Sequence, residues 1–144
     1  MINGPTALVT TIGATDIAKA GLLNLSVGDA NGNSSNVRTL TILDRVSVTT
    51  ATSYAVGEIA PDSIAVAFAP RLASGVSVAA TIPLPNSLLG TKVSVRDSKG
   101  AVRDQSLFFV APTQVNFLLH PETALGTASV TTYINEEIVS LGDI

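Results

Sequence analysis

The fold is decided by residues 107–119, whose sequence is LFFVAPTQVNFLL. This segment holds three of the four phenylalanines in a chain with no Trp and no Cys, so it has to anchor a core. We interpret it as two strands with a bend at Ala111-Pro112. The bend falls there because the proline ring fixes its own φ and restricts the residue before it.

The second of these strands alternates in polarity. Gln114 and Asn116 alternate with Val115 and Phe117, so one face of the strand is polar and the other apolar. We predict that Phe109, Val115 and Phe117 are buried, and that the segment is the turn between two core strands and not a ligand site.

The composition favours strands over helices. Hydrophobic residues make up 46% of the 144 residues and charged residues only 13%, which excludes a disordered, highly charged chain. The apolar residues are mostly Val, Ala, Leu and Ile, and Thr and Ser are plentiful. β-branched and small polar residues at this density favour an all-β fold. The net charge is −3 and the basic residues are scattered singly, so a nucleic-acid footprint and a polybasic membrane patch are not expected.

Working outward, we predict a partial β-unit at 1–45 and a complete one at 46–144. The first has a short strand at 7–11, a helical turn at 17–20 closed by Gly21, and an Asn31-Gly32 hairpin. Its half-buried strand alternates Leu23, Leu25 and Val27 with polar residues, and its return strand carries Val37, Leu40 and Ile42. With about three strands and no Cys, this unit is near the lower limit for burying its own core.

The second unit has enough strands for a sandwich. Turns separate its predicted segments, and Asn135-Glu136 starts a further hairpin. The predicted segments are 46–48, 64–68, 76–82, 92–96, the two strands of 107–119, 127–134 and 138–141.

Two groups of motifs resemble known families. Leu8 to Ile42, with Thr10-Thr11, the Ala20-Gly21 turn and Ser35-Asn36, resembles the C-terminal half of an IPT/TIG immunoglobulin-like domain. The later motifs resemble an uncharacterised C-terminal β-sandwich domain of secreted, acidobacterial-type soil-bacterial proteins. These motifs are ATSY at 51–54, IAPDSI at 59–64, PLP at 83–85, Leu89-Gly90 and FVAPTQVNF at 109–117.

The resemblance implies an immunoglobulin-like sandwich, secretion or display at the cell surface, and a place at the end of a modular protein. It implies no activity and no catalytic residue. The sequence departs from the second family at Asp62, where a Gly is expected, and at His120 before Pro121. Residues 1–5 lack the basic and apolar regions of a signal peptide.

No catalytic constellation is predicted. His120 is the one histidine and is interpreted as a polar residue at a strand end, because no nucleophile motif accompanies it. Glu136 and Glu137 point to opposite faces of an extended chain, so they are not paired for glycoside chemistry. Tyr54 and Tyr133 are the only tyrosines, which gives poor support for a sugar-stacking platform.

The sequence also gives little support for a calcium site or an isopeptide bond. Asp29, Asn31 and Asn33 alternate like a calcium loop, but Ser34 and Leu40 occupy the positions that require Gly and an acid, so a hairpin turn is favoured. An isopeptide bond needs a buried lysine beside an Asn and an acid. The three candidates are placed near turns or on exposed faces, namely Lys19, Lys92 and Lys99.

The sequence therefore predicts a non-enzymatic structural or interaction protein with no cofactor and no metal. One hypothesis is a terminal module of a secreted or cell-surface protein, acting as a spacer, anchor or adhesion platform. The alternative is a self-assembling filament subunit, in which strands of a neighbouring copy complete the partial first unit. Protein partners are expected in both cases, and neither nucleic-acid binding nor membrane insertion.

Overall fold

The computed structural model describes residues 9–144, and this part of the chain is all-β, as predicted. It contains twelve strands and no helix, so none of its segments is a helix that could cross a membrane. The strands are β1 (Gly21–Leu25), β2 (Arg38–Ile42), β3 (Asp44–Arg45), β4 (Ser47–Thr50), β5 (Ile64–Phe68), β6 (Ser77–Val78), β7 (Thr91–Arg96), β8 (Val102–Asp104), β9 (Ser106–Ala111), β10 (Gln114–Leu118), β11 (Ser129–Ile134) and β12 (Glu137–Asp143).

The first unit ends at Ile42 and its described part is a single antiparallel hairpin of β1 and β2. The hairpin prediction is confirmed, but the predicted helical turn at 17–20 is wrong, since turn and bend conformations occupy that segment. One helical turn has no neighbouring turn to share its hydrogen bonds, so propensity alone does not hold it. The strand predicted at 7–11 is absent at 9–11, and its first two positions lie outside the described residues.

The second unit, which begins at Leu43, is built from two five-stranded sheets packed on a common core. The first sheet has the order β4-β5-β10-β9-β6 and the second the order β3-β12-β11-β7-β8. Phe117, Val110 and Val115 of the first sheet face Val95 and Val130 of the second, all at most 2% exposed. This is the predicted β-sandwich, while its immunoglobulin-like character stays a prediction.

The boundary between the units lies three residues before the predicted one. Asp44 and Arg45 form β3, which pairs in parallel with Ser140 and Leu141 of β12 and so belongs to the second unit. The extended piece predicted at 76–82 is much shorter, since only β6 is a strand there.

The decisive segment forms a tight hairpin of β9 and β10 around Pro112 and Thr113, as predicted. Phe117 and Val115 are fully buried, but the prediction that Phe109 is buried is wrong. A β-bulge at Phe108 shifts the register, so Phe109 pairs with a residue of the outer face and is only half-buried.

Six non-glycine residues within residues 9–144 lie in the left-handed region that usually favours glycine, and three of them are in turns that the sequence analysis singles out. Asn135 and Glu136 have φ of 49° and 68° and form the two-residue turn of the predicted hairpin between β11 and β12. Asp62 has a φ of 62°, a conformation that glycine adopts at no steric cost. Asp is one of the few residues that tolerate this conformation, so the turn is kept.

Candidate interaction surfaces

The hairpin of the first unit has a mostly apolar face whose side chains are half-buried or exposed. The cross-strand pairs place Leu23 and Leu40 on the same face, together with Leu25 and Ile42, and Arg38 lies at its end opposite Leu25. Leu25 and Leu40 are 37% and 40% exposed, and none of residues 9–42 is buried. A two-stranded hairpin is marginally stable without a layer on its apolar face.

Both edges of this hairpin are also open. The sheet consists of β1 and β2 alone, so each strand has one side with no strand partner among residues 9–144. Such an edge presents main-chain N–H and C=O groups that can pair with an added strand. The hairpin therefore offers an apolar face and two pairing edges at the same place.

The connection between β1 and β2 is ordered by Asp29. Its carboxylate accepts hydrogen bonds from the N–H groups of Asn31 and Asn33, each at 2.9 Å, and from the Asn33 side-chain amide at 2.8 Å. The Asn33 side chain contributes most to holding the pKa of Asp29 below its ordinary value. The acid thus closes a turn, as the hairpin interpretation predicts.

A second candidate surface is the outer side of the first sheet, which we call the neutral face. Its outward-pointing strand residues are all uncharged: Ser47, Thr49, Ile64, Val66, Phe68, Val78, Ser106, Phe109, Ala111, Gln114, Asn116 and Leu118. Ile64 and Val78 are 42% and 66% exposed, and the ring of Tyr54 lies 6.2 Å from that of Phe68. Val66 and Thr49 of this face are already buried within the chain, so the accessible part is the remainder around them. An accessible apolar patch can mark an interaction site in a soluble protein.

Polar groups with unused hydrogen-bonding capacity lie in the middle of the neutral face. The Gln114 side-chain amide donates to Asn116 Oδ1 at 2.8 Å, which leaves the Gln114 carbonyl oxygen and the Asn116 amide nitrogen without a partner in the described chain. On the same face but two strands away, the hydroxyl of Thr49 is buried and makes no hydrogen bond to any described residue. An unpaired buried hydroxyl costs about 1–3 kcal/mol.

The outer side of the second sheet is different, and we call it the charged face. Lys92, Arg96 and Asp104 point outward there, as do Arg45 and Asp143. The two outer faces of one sandwich therefore differ sharply in charge.

An open groove of about 900 Å³ lies at one end of the sandwich, between loops 56–61 and 123–128. Core residues Leu119 and Ala128 line it, and Glu58 and Asp143 are the acidic side chains along it. No polar group of the lining is both buried and without a partner, because Thr49 is the one such residue in the described chain.

The residues considered for catalysis lie in turns or next to them. The main-chain N–H of His120 donates to Gln105 Oε1 at 2.8 Å, and its Nδ1 accepts the N–H of Glu122 at 3.1 Å. Glu136 occupies a turn and Glu137 begins β12, and both are exposed. No serine, threonine or acid is hydrogen-bonded to the His120 ring in the part described.

Lys92 points outward from the second sheet, as predicted. It is half-buried on the charged face, with Nζ 3.3 Å from Glu136, 3.6 Å from Asp104 and 5.6 Å from the centre of the Tyr133 ring. The hydrogen bond to Glu136 and the charge of Asp104 raise the pKa of Lys92. An amine held in its protonated form is a poor nucleophile, so the site does not suit an isopeptide bond. Lys19 and Lys99 are exposed, as predicted.

Asp97 is a buried acid that no motif in the sequence singles out. Its carboxylate accepts the N–H groups of Lys99 and Ala101 at 3.0 Å, that of Ala124 at 3.2 Å, and Arg103 Nη1 at 3.0 Å. Burial opposes ionisation, but these donors outweigh it and hold the pKa of Asp97 below its ordinary value. The group ties the β7–β8 turn to residues 121–126.

No cluster of three or more His, Cys, Asp or Glu side chains that could hold a metal ion occurs in residues 9–144.

Comparisons with protein-family models, curated proteins and solved structures found no match for this chain. The two family resemblances, and the secretion they imply, stay predictions from the sequence.

Proposed function

We propose that this protein is a non-catalytic structural and interaction module of a secreted or cell-surface protein, whose first-unit hairpin is completed by strands of another polypeptide. The observation that carries the proposal is the hairpin of β1 and β2, which has a largely apolar, partly exposed face and, within residues 9–144, two edges without a strand partner. The extracellular placement, the IPT/TIG relationship and the adhesion or spacer role rest on the sequence resemblance alone.

Strand addition suits this hairpin for a physical reason. An added strand forms main-chain hydrogen bonds along a whole edge, and a covering layer buries the leucines of the apolar face. Burying Leu23, Leu25 and Leu40 would contribute up to roughly 1.5–3 kcal/mol for each side chain that is fully covered. A second copy of the chain can supply such strands, which is the filament alternative.

Hydrogen exchange measured by mass spectrometry tests the proposal. In the dilute chain we expect the amides of β1 and β2 to exchange quickly, while those of β7, β10 and β11 are protected by the sandwich core. Protection of the hairpin that rises between about 5 µM and about 500 µM protein would favour self-assembly. Exchange that stays fast at every concentration would favour completion by a different polypeptide.

One result would contradict both versions. If the hairpin of the dilute monomer is already as protected as β10, it is complete within its own chain and needs no partner. A matched pair of variants refines the test. Leu23→Glu places a charge on the apolar face, and Asn24→Glu places the same charge on the opposite face. Only Leu23→Glu should abolish protection that depends on concentration.

A further inference from the structure

We propose that the neutral face of the second unit is a homotypic docking surface, which packs against the neutral face of a second copy around a twofold axis. This inference concerns a different surface from the hairpin and does not depend on strand addition. It rests on three observations: the absence of charge among the outward strand residues, the leftover amide groups, and the size of the face.

The first observation is electrostatic. The chain carries a net charge of −3, so two copies repel weakly on approach. The outward strand residues of the first sheet carry no charge, whereas those of the second sheet carry charges of both signs. Two neutral faces can meet without desolvating or opposing any charge, and this favours contact between like faces over contact between a neutral and a charged face.

The second observation is the self-complementary amide pair. In a twofold contact, a donor of one copy meets the matching acceptor of the other, and the reverse contact forms by symmetry. Each copy has one leftover acceptor on Gln114 and one leftover donor on Asn116. Placed near the axis, the two amide pairs of the dimer form two hydrogen bonds between copies. A lipid surface or a purely apolar ligand would leave these groups unpaired.

The third observation is size. The face spans at most on the order of 400 Å² in projection, taking about 4.8 Å between strands and about 3.3 Å per residue. Val66 and Thr49 within it are already buried and add no area to a contact. Two such faces, with their side-chain relief, bury at most roughly 1,000 Å² in total, which is at the low end for specific interfaces. The expected dimer is therefore weak and forms in a concentration-dependent way.

Sedimentation velocity of the full 144-residue chain, from about 1 µM to about 300 µM, tests the inference. We expect a reversible monomer–dimer equilibrium that added salt does not weaken, because no ion pair crosses the interface. Val78→Lys should weaken dimerisation at least about tenfold, since it forces a buried lysine into a contact with no acid. Gln114→Glu should act likewise, because two carboxylates would meet near the axis.

Matched controls lie on the charged face. Val102 is 63% exposed against 66% for Val78, and both lie on edge strands, so Val102→Lys makes the same change in a similar setting. Thr131→Glu is the matching control for Gln114→Glu. Both controls should dimerise like the wild type, and all four variants should keep the wild-type circular dichroism spectrum.

Three results would overturn the inference. The first is a wild-type chain that stays monomeric over the whole concentration range. The second is equal dimerisation of the Val78→Lys and Val102→Lys variants. The third is a dimer that Leu23→Glu abolishes and Val78→Lys leaves intact. That last result would show that copies of the chain associate through the hairpin. It would support the proposed function and would exclude the neutral face as the docking surface.

Discussion

Replacing Gly142 with alanine should destabilise the second unit strongly, because β12 passes too close to residue 46 for any side chain. A Cβ atom at Gly142 would clash with the carbonyl oxygen of Val46 and lie 2.7 Å from its Cγ1. Both approaches are far inside van der Waals contact, and the first involves backbone that cannot turn away. One of the two segments therefore has to move by about 1 Å.

The cost of that movement follows from what it disturbs. Overpacking of a well-packed core costs about 1–3 kcal/mol. The N–H of Val46 also donates to Leu141 O at 2.9 Å, and weakening this bond adds about 0.5–1.5 kcal/mol. We expect the free energy of unfolding to fall by about 3 kcal/mol. For a unit of this size, the midpoint temperature should fall by about 12–20 °C.

Gly75→Ala is the matched control. Neither glycine adopts the left-handed conformation, but a Cβ at Gly75 would meet only Leu89 Cδ1, at an ordinary 3.5 Å. The control should be neutral or stabilise by about 0.4–1 kcal/mol, because alanine restricts the unfolded chain. Urea unfolding followed by far-UV circular dichroism measures both variants. Equal shifts for the two, or a loss below about 0.5 kcal/mol for Gly142→Ala, would refute the steric argument.

Four further predictions concern single side chains of the second unit. Phe117→Ala should lower the free energy of unfolding by about 3–5 kcal/mol, and Phe109→Ala by clearly less, because only the first ring is in the core; equal losses in urea unfolding would contradict the bulge. Asp62→Val should cost roughly 1–2 kcal/mol and Asp62→Gly almost nothing, because a β-branched residue is strained at a φ of 62°; thermal unfolding measures both, and a stable valine variant would exclude strain. Thr49→Val should stabilise by about 1 kcal/mol in urea unfolding, since it removes a buried hydroxyl with no partner, and destabilisation would reveal a hidden partner. The lowered pKa of Asp97 means that its contribution to stability is complete above about pH 4 and is lost as the pH falls further, so Asp97→Asn should flatten the acid side of a stability–pH profile; an unchanged profile would contradict this.

Much of the fold follows from local patterns in the sequence. The alternation at Gln114 to Leu118 correctly assigns the inner and outer residues of β10, and Asn135-Glu136 correctly marks a two-residue hairpin turn. Both signals work because they depend on the residues of one strand or one turn. The missed helical turn at 17–20 shows the limit of this approach, since its capping and propensity signals are weak without packing.

Features that depend on distant residues could not be predicted. The exposure of Phe109 follows from a bulge opposite β10, which no pattern within β9 reveals. The partners of Asp97 include the N–H of Ala124, which is 27 residues away. The neutral face was missed because β5 is almost continuously apolar. Its sequence does not show that Ala65 and Ala67 face the core while Val66 and Phe68 face outward.

The parallel pairing of β3 with β12 has a mechanical consequence. Tension pulling the second unit from both ends enters at β3 and leaves through β12. Because the two strands run in the same direction, opposite pulls act along the strands and at right angles to their hydrogen bonds. The load is then shared by the pairs Asp44–Ser140 and Arg45–Leu141 and by the Val46 N–H bond, which must be sheared together. An antiparallel pair pulled from one end would instead open one bond at a time.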